Sequence, residues 1–149
     1  MDDIDRKILT ITQKEFPLDA EPYRVIGERV GLTEEEVLRR VTRLRDEGII
    51  RRIGAVFDAR KLGYASTLCA ARVPEEKIGG FVAVVNSYRG VTHNYRRGHA
   101  FSVWFTFIAP SMAEIEQALE EIKGATGVDQ IITMPATRTF KIDASFDLT

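Results

Sequence analysis

Residues 22–48 read PYRVIGERVGLTEEEVLRRVTRLRDEG, and this segment alone predicts a pair of helices. Pro22 suits the first turn of a helix, where a missing N–H costs no hydrogen bond. Gly31 is the residue type favoured at the left-handed position that ends a helix. Thr33 and Glu36 have the spacing of a capping box, so a second helix begins directly after the turn. Two helices joined by a short turn around a glycine predict a helix-turn-helix unit.

A further helix precedes this pair. Ile4, Ile8 and Ile11 recur at the spacing of one helix face. Pro17 ends the helix, because a proline disfavours helical geometry in the residue before it. Residues 1–60 are therefore predicted to form a helix-turn-helix domain.

The remaining residues, 61–149, alternate between strand and helix signals. The runs that predict strands lie at residues 64–73, 91–97, 100–109 and 128–134, with a shorter one at 140–146. Helices are predicted to begin at Pro74 and Pro110, and the second is predicted to end at Gly124. The order β-α-β-β-α-β is that of a ferredoxin-like sandwich. The predicted fold class is α+β, with an N-terminal helix-turn-helix domain followed by a ferredoxin-like domain.

The charge balance argues against a DNA-binding role. The chain of 149 residues has a formal net charge of −1, whereas DNA-binding proteins usually carry a basic excess that neutralises phosphates. The first turn of the predicted recognition helix reads Glu34-Glu35-Glu36, and DNA phosphates repel carboxylates at this position. These residues also have a structural explanation, since acidic side chains favour a helix N-terminus. Four arginines of this helix either contact phosphates or form a solvated face: Arg39, Arg40, Arg43 and Arg45.

One predicted strand is apolar on both faces. Residues 101–108 read FSVWFTFI, and a strand that is apolar on both sides is generally covered on both sides. Helices cover only one face of a ferredoxin-like sheet, so we expect a second chain, identical or related, on the other face. The sequence shows no secretory leader and no apolar run of membrane-spanning length, which predicts a cytoplasmic protein without membrane contact.

The strongest chemical signal is the hairpin segment His93-Asn94-Tyr95-Arg96-Arg97-Gly98-His99, which contains both histidines of the protein. Strand alternation places His93, Tyr95 and Arg97 on one face and Arg96 on the other. Imidazole can transfer a proton or ligate a metal, and guanidinium binds carboxylates or phosphates through paired hydrogen bonds. The segment therefore predicts a site for an anionic small molecule, although a polar hairpin tip without a function has the same composition.

Two further basic residues, Arg138 and Lys141, lie downstream of the hairpin. They either add positive charge to the same site or lie on a surface strand. A zinc site is not predicted, because the histidines have no Cys, Asp or Glu at ligand spacing.

The whole chain resembles the Lrp/AsnC family. The segments that carry this likeness are IDRKIL at residues 4–9 and RLRDEGII at residues 43–50. Other segments are more similar to the siroheme decarboxylase branch, which includes related subunits of heme d1 synthesis. These segments are IRRIGA at residues 50–55, the His93–His99 segment followed by Trp104-Phe105-Thr106, Pro135-Ala136, and Phe140-Lys141-Ile142.

This resemblance implies a carboxy-lyase that removes carbon dioxide from two acetate side chains of siroheme, giving didecarboxysiroheme in an alternative heme or heme d1 pathway. It implies that His93 and His99 are catalytic proton donors, with His93 as an alternative axial ligand of the siroheme iron. No cofactor is implied beyond the iron that siroheme carries. The implied substrate-binding residues are Tyr95, Arg96, Arg97, Trp104, Arg138 and Lys141, with Val103 and Phe105 beside Trp104 as an apolar wall.

Two alternatives remain open. The first is a DNA-binding regulator of the Lrp/AsnC type with a small-molecule effector, which the acidic turn at Glu34–Glu36 disfavours. The second is a tetrapyrrole-binding sensor without catalysis. We expect partnership with an identical or paralogous subunit, and no specific DNA site.

Overall fold

The computed structural model describes residues 1–142 and 145–148. The chain divides into two compact units, the first comprising Met1–Ala55 with Lys141–Thr149 and the second comprising Val56–Phe140. The division expected from the sequence was a single break after residue 60. The structure instead groups the last residues of the chain with the first unit.

The first unit contains three helices: α1 (Asp3–Lys14), α2 (Pro22–Val30) and α3 (Glu34–Asp46). Helix α2 begins at Pro22 and is followed by Gly31 in the left-handed conformation, with a φ of 74°. The Thr33 side chain accepts a hydrogen bond from the Glu36 backbone at the start of α3. Only this half of the predicted capping box is present, because the Glu36 carboxylate instead binds two arginines of its own helix. The helix-turn-helix prediction is confirmed.

The core of the first unit is formed by one apolar face of each helix. Ile8, Ile26 and Leu44 are fully buried, and Leu148 packs against this cluster from the end of the chain. The Gln13 side chain holds the same terminal segment by donating to the Phe146 carbonyl at 2.6 Å and accepting from the Phe146 N–H at 3.0 Å.

The second unit is a four-stranded sheet with two helices. In chain order its elements are β1 (Ala65–Ala71), α4 (Ile78–Ser87), β2 (Val91–Arg96), β3 (Val103–Ala109), α5 (Met112–Thr126) and β4 (Ile131–Pro135). The strands lie in the order β2-β3-β1-β4, and every neighbouring pair is antiparallel. This is the ferredoxin-like arrangement predicted from the sequence.

The two faces of this sheet differ in character. Val103, Phe105 and Phe107 alternate along β3 into the core, where they pack with Phe81 and Ile115 from the helices. We call the opposite side the outer face. Its side chains are less buried, as the following exposed fractions show: Leu68 40%, Ile132 43% and Tyr95 52%.

The end of one helix and one predicted strand differ clearly from the sequence prediction. Helix α5 continues through Gly124 and ends before Gly127, which has a φ of 61°. A single glycine costs a helix only about 1 kcal/mol, and the buried Ile122 lies within the last turns of α5. The predicted strand at residues 140–146 is not observed at its described positions, 140–142 and 145–146, while Asp143 and Ala144 lie outside the described residues.

Among the described residues, no helix is both long and apolar enough to cross a membrane.

Candidate functional site

The loop between β2 and β3, residues 97–102, is tied to the sheet by several hydrogen bonds. The Arg97 N–H donates to the Ser102 carbonyl at 2.8 Å, and the Ser102 hydroxyl donates to the Val73 carbonyl at 3.0 Å. The Trp104 indole N–H donates to the Phe101 carbonyl at 2.7 Å. The loop therefore has a defined position at the end of the hairpin.

Four of the predicted site residues lie together on the outer face. His93 pairs with Thr106 and Tyr95 pairs with Trp104 across the β2–β3 ladder, so these side chains point away from the core residues of β3. The His93 and Tyr95 rings stack with their centroids 6.2 Å apart. The Arg97 guanidinium lies 5.5 Å from the centroid of the Trp104 ring. The structure thus brings His93, Tyr95, Arg97 and Trp104 to one surface.

Arg96 is not part of this surface. It pairs with Val103, whose side chain is buried in the core, and therefore lies on the helix face of the sheet. Its Nη2 atom is 2.7 and 2.9 Å from the two carboxylate oxygens of Glu75. The expected apolar wall is also reduced, because Val103 and Phe105 are core residues and only Trp104 faces outward.

The two histidines have different surroundings. The Phe101 N–H donates to Nδ1 of His99 at 3.1 Å, and the His99 ring stacks on the Phe101 ring. Because Nδ1 accepts this bond, the proton of neutral His99 lies on Nε2. Nδ1 of His93 lies 3.0 Å from the Thr92 hydroxyl, whose oxygen can accept a hydrogen bond from an Nδ1–H. That arrangement leaves the lone pair on Nε2 of His93.

The downstream basic residues fall in different units. The Arg138 guanidinium lies 5.0 Å from the Phe140 ring, in the second unit. Lys141 belongs to the first unit.

Sequence reasoning overlooked Arg72, which directly follows β1. Its guanidinium lies 5.6 Å from the centroid of the Phe101 ring, the same ring on which His99 stacks. Arg72 is distant from the His93–His99 segment in the chain, so only the β1–β3 register brings it to this loop.

The arginines of α3 are all engaged in ion pairs within the first unit. Arg39 pairs with Glu36, and Arg45 pairs with its neighbour Asp46. Arg40 binds Asp2, Asp5 and Glu36, and Arg43 binds Asp5. Hydrogen bonds from Arg39 and then Arg40 lower the pKa of Glu36 to about 2. The positive charges of these arginines, which the sequence predicted as possible phosphate ligands, are thus already compensated by carboxylates.

Family models match both parts of the chain. Residues 5–51 match the helix-turn-helix domain of siroheme decarboxylase NirDL-like proteins. Residues 61–141 match the AsnC-like ligand binding domain.

Relatives named as siroheme decarboxylase subunits match nearly the whole chain. The siroheme decarboxylase alpha subunit of Oleidesulfovibrio alaskensis is 53% identical, and the match covers 99% of this chain and 90% of that protein. The siroheme decarboxylase NirD subunit of Pseudomonas aeruginosa is 39% identical over 99% of this chain and 97% of that protein.

Solved structures agree with these relatives. The crystal structure of siroheme decarboxylase NirDL in complex with an iron-uroporphyrin III analogue is 34% identical, with a TM-score of 0.69 over 93% of this chain and 47% of that one. An AsnC family transcriptional regulator from Agrobacterium tumefaciens has a TM-score of 0.80 at 24% identity over 99% of this chain and 97% of that one, a likeness of fold alone.

Proposed function

Because the chain belongs to the siroheme decarboxylase family, we infer that it is a subunit of an enzyme that removes carbon dioxide from two acetate side chains of siroheme. The activity is that of a carboxy-lyase, and its product is didecarboxysiroheme. The observation that carries this function is the grouping of His93, Tyr95, Arg97 and Trp104 on the outer face of the sheet. This surface offers imidazole, guanidinium and aromatic groups to a flat anionic ligand.

The chemistry requires a group that supplies a proton. When the bond between the methylene carbon and the carboxylate carbon breaks, the electron pair stays on the methylene carbon and is delocalised into the macrocycle. A proton then forms a new C–H bond there, which turns the acetate into a methyl group. A well-placed general acid contributes about 10²–10⁴ in rate.

We assign the histidines different roles. An imidazole that ligates iron through one nitrogen usually donates the N–H of its other nitrogen to a fixed acceptor. The Thr92 hydroxyl beside Nδ1 of His93 can serve as that acceptor, so His93 suits the axial ligand. Nδ1 of His99 accepts a hydrogen bond from a backbone N–H, so the proton of the neutral ring lies on Nε2. In this tautomer Nε2 has no lone pair to ligate iron. We therefore propose His99 as the proton donor.

The carboxylates of the substrate require cationic and hydrogen-bonding partners. We propose Arg97 and Tyr95 for this role, with the Trp104 ring against the macrocycle. Arg138 and Lys141 remain predicted substrate ligands. We leave Arg96 out of the proposed site, because it lies on the helix face and is paired with Glu75. We propose no cofactor other than the iron of siroheme.

We further propose that the chain works with a paralogous subunit. Its relatives are named alpha subunits, and Leu68 on β1 and Ile132 on β4 leave an apolar part of the outer face exposed. The proposed substrate site lies toward β2 and β3, so a partner can cover the β1–β4 part without displacing the substrate. A homodimer is the alternative. A cytoplasmic location remains a prediction of the sequence.

The test is an anaerobic incubation of siroheme with the purified chain, alone and together with its paralogous subunit, followed by mass analysis of the tetrapyrrole. We expect the loss of two carboxyl groups. Siroheme that binds but stays intact under both conditions would identify a sensor. A lack of both binding and turnover would contradict the proposed function.

A further inference from the structure

We propose that Arg72 is an additional substrate-binding residue, which holds a carboxylate of the tetrapyrrole beside the loop that carries His99. This inference rests on the proposed function. It adds a residue that neither the hairpin sequence nor the relatives' names identify.

The position of Arg72 follows from the register of β1. Ala71, the last residue of β1, pairs with the core residue Val103, and Ala70 pairs with the outward-facing Trp104. Alternation then directs the next side chain, Arg72, to the side of Trp104. The Arg72 N–H donates to the Gln130 carbonyl at 2.9 Å, so its backbone is held beyond the end of the strand.

The aromatic ring of Phe101 connects Arg72 with His99. The Arg72 guanidinium lies 5.6 Å from the centroid of this ring. The His99 ring stacks on the same ring, with centroids 6.3 Å apart and planes inclined by 18°. A carboxylate that binds Arg72 is therefore brought to the loop of the proposed proton donor.

The guanidinium of Arg72 is available for a ligand. Within residues 1–142 and 145–148, no carboxylate forms an ion pair with Arg72 or Arg97, whereas Arg96 is paired with Glu75. A guanidinium stacked on an aromatic ring keeps its in-plane N–H groups free, and these can bind a carboxylate through two hydrogen bonds. Arg97 lies over Trp104 in the same way, so two guanidiniums with free donors, one from the loop and one from the end of β1, are available at this site.

The chemistry of the reaction indicates which carboxylate Arg72 holds. An ion pair to a reacting acetate would stabilise the carboxylate in the ground state and would be lost when carbon dioxide leaves, which opposes the reaction. Arg72 therefore suits a carboxylate that the product retains. Its contribution is to binding and to orienting the macrocycle against His99.

The experiment is an absorbance titration of the wild-type chain and its variants with two iron porphyrins. Iron uroporphyrin carries carboxylates, and iron octaethylporphyrin carries ethyl groups in their place. We expect Arg72→Ala to weaken the binding of iron uroporphyrin by about tenfold or more, because at least one charge-assisted hydrogen bond is lost, and to leave the binding of iron octaethylporphyrin unchanged. Arg72→Lys should recover part of the affinity. The matched control Arg96→Ala should bind both porphyrins like the wild type.

Equal binding of iron uroporphyrin by the wild type and Arg72→Ala would overturn the inference, and so would an equal loss for both porphyrins. Siroheme turnover by the wild type is measured in parallel. This measurement tests the proposed function independently of the Arg72 inference. A wild type that binds neither porphyrin contradicts both.

Discussion

His93 and His99 differ in what their Nδ1 atoms contact, and this difference separates their roles. Nδ1 of His99 accepts a hydrogen bond from the Phe101 N–H, while Nδ1 of His93 lies beside the Thr92 hydroxyl, which can donate or accept a hydrogen bond. The two rings also stack on different partners, Phe101 and Tyr95. A substitution at one histidine therefore leaves the contacts of the other in place.

The histidine roles lead to our first prediction. His93→Ala should shift the Soret band of bound siroheme and weaken its binding, because an axial ligand is lost. His99→Ala should leave the spectrum nearly unchanged and lower single-turnover decarboxylation by about 10²–10⁴. Absorbance and product mass measure the two effects. If both variants keep a normal spectrum and normal turnover, the site is not on this hairpin.

Asp5 is a second residue with a distinct electrostatic environment. It is only 1% exposed and bonds both Arg40 and Arg43. Burial by itself would raise the pKa of Asp5. The hydrogen bond that the Asp2 N–H donates to the Asp5 carboxylate and those from Arg43 and Arg40 outweigh burial, so the pKa lies well below its usual range. Asp5 therefore links α1 to α3 as a charged group.

The second prediction concerns the stability of the first unit. A depressed carboxylate pKa stabilises the folded state above the unfolded pKa of about 3.9, and this contribution is lost as the pH falls through the folded pKa. Asp5→Asn should lower the unfolding free energy at pH 7 by about 1.5–3 kcal/mol, since hydrogen bonds to charged groups are lost. The variant should also lose less stability than the wild type as the pH falls from about 4 toward the folded pKa of Asp5, because the contribution of this carboxylate disappears over that window.

Urea unfolding followed by circular dichroism measures this change. The only tryptophan, Trp104, lies in the second unit, so its fluorescence reports that unit separately. Asp46→Asn, which removes an exposed ion pair with Arg45, is the matched control and should cost less than about 1 kcal/mol. An Asp5→Asn variant as stable as this control would contradict the prediction.

At the scale of single elements, α3 combines the position of a recognition helix with charges that are compensated inside the first unit. Its first turn is acidic, and its arginines are paired with carboxylates of the first unit. DNA phosphates would have to compete with these carboxylates for the guanidinium groups. The energy released by phosphate contacts would therefore be offset by the loss of internal ones.

The third prediction follows for DNA. Fluorescence anisotropy should show weak, salt-sensitive binding without sequence preference, with a Kd around 10⁻⁴–10⁻⁶ M as for non-specific binding. Replacing Glu34 and Glu35 by glutamine should strengthen this binding, because two repulsive charges are removed from the first turn. A nanomolar, sequence-selective site at physiological salt would contradict the assignment as an enzyme alone.

At the scale of the whole molecule, the outer face of the sheet is the proposed partner surface. One face of the sheet packs on α4 and α5, and the other leaves Leu68 and Ile132 exposed. These two residues lie on the neighbouring strands β1 and β4, so they form a continuous apolar area. Covering such an area removes apolar surface from water and favours association.

The fourth prediction tests this interface. Ile132→Asp should dissociate the complex with the paralogous subunit, because a charge would be buried at the contact without a partner. Leu18→Asp is the control, since Leu18 is fully exposed in the first unit and should have no effect. Sedimentation velocity measures the outcome. A wild-type chain that is fully active as a lone monomer would contradict the interface.

Local sequence signals were sufficient for most of the fold. The helix start at Pro22, the turn at Gly31 and the Thr33 cap all lie where the sequence predicts them. The strand order of the second unit followed from the order of strand and helix signals. The helix start, turn and cap depend on contacts between residues close in the chain, so short patterns determine them. The strand order joins distant residues, such as Thr67 and Pro135, and was predicted from the order of elements that is typical of a ferredoxin-like sandwich. The end of α5 was predicted wrongly, because glycine is tolerated in a helix that packs well, as Gly124 is.

The sequence by itself determined the hairpin segment and the fact that His93, Tyr95 and Arg97 share one face, since alternation along one strand requires no knowledge of its neighbours. Which face of the sheet this is was decided by the pairing with β3. Only the tertiary structure decided that Arg72 reaches the same loop, that Arg96 binds Glu75, and that the α3 arginines are compensated. These contacts join distant parts of the chain. Arg40 and Asp2, for example, are 38 residues apart. Strand register and helix packing are the physical reason for these contacts, because they bring the charged groups within bonding distance only after the chain has folded.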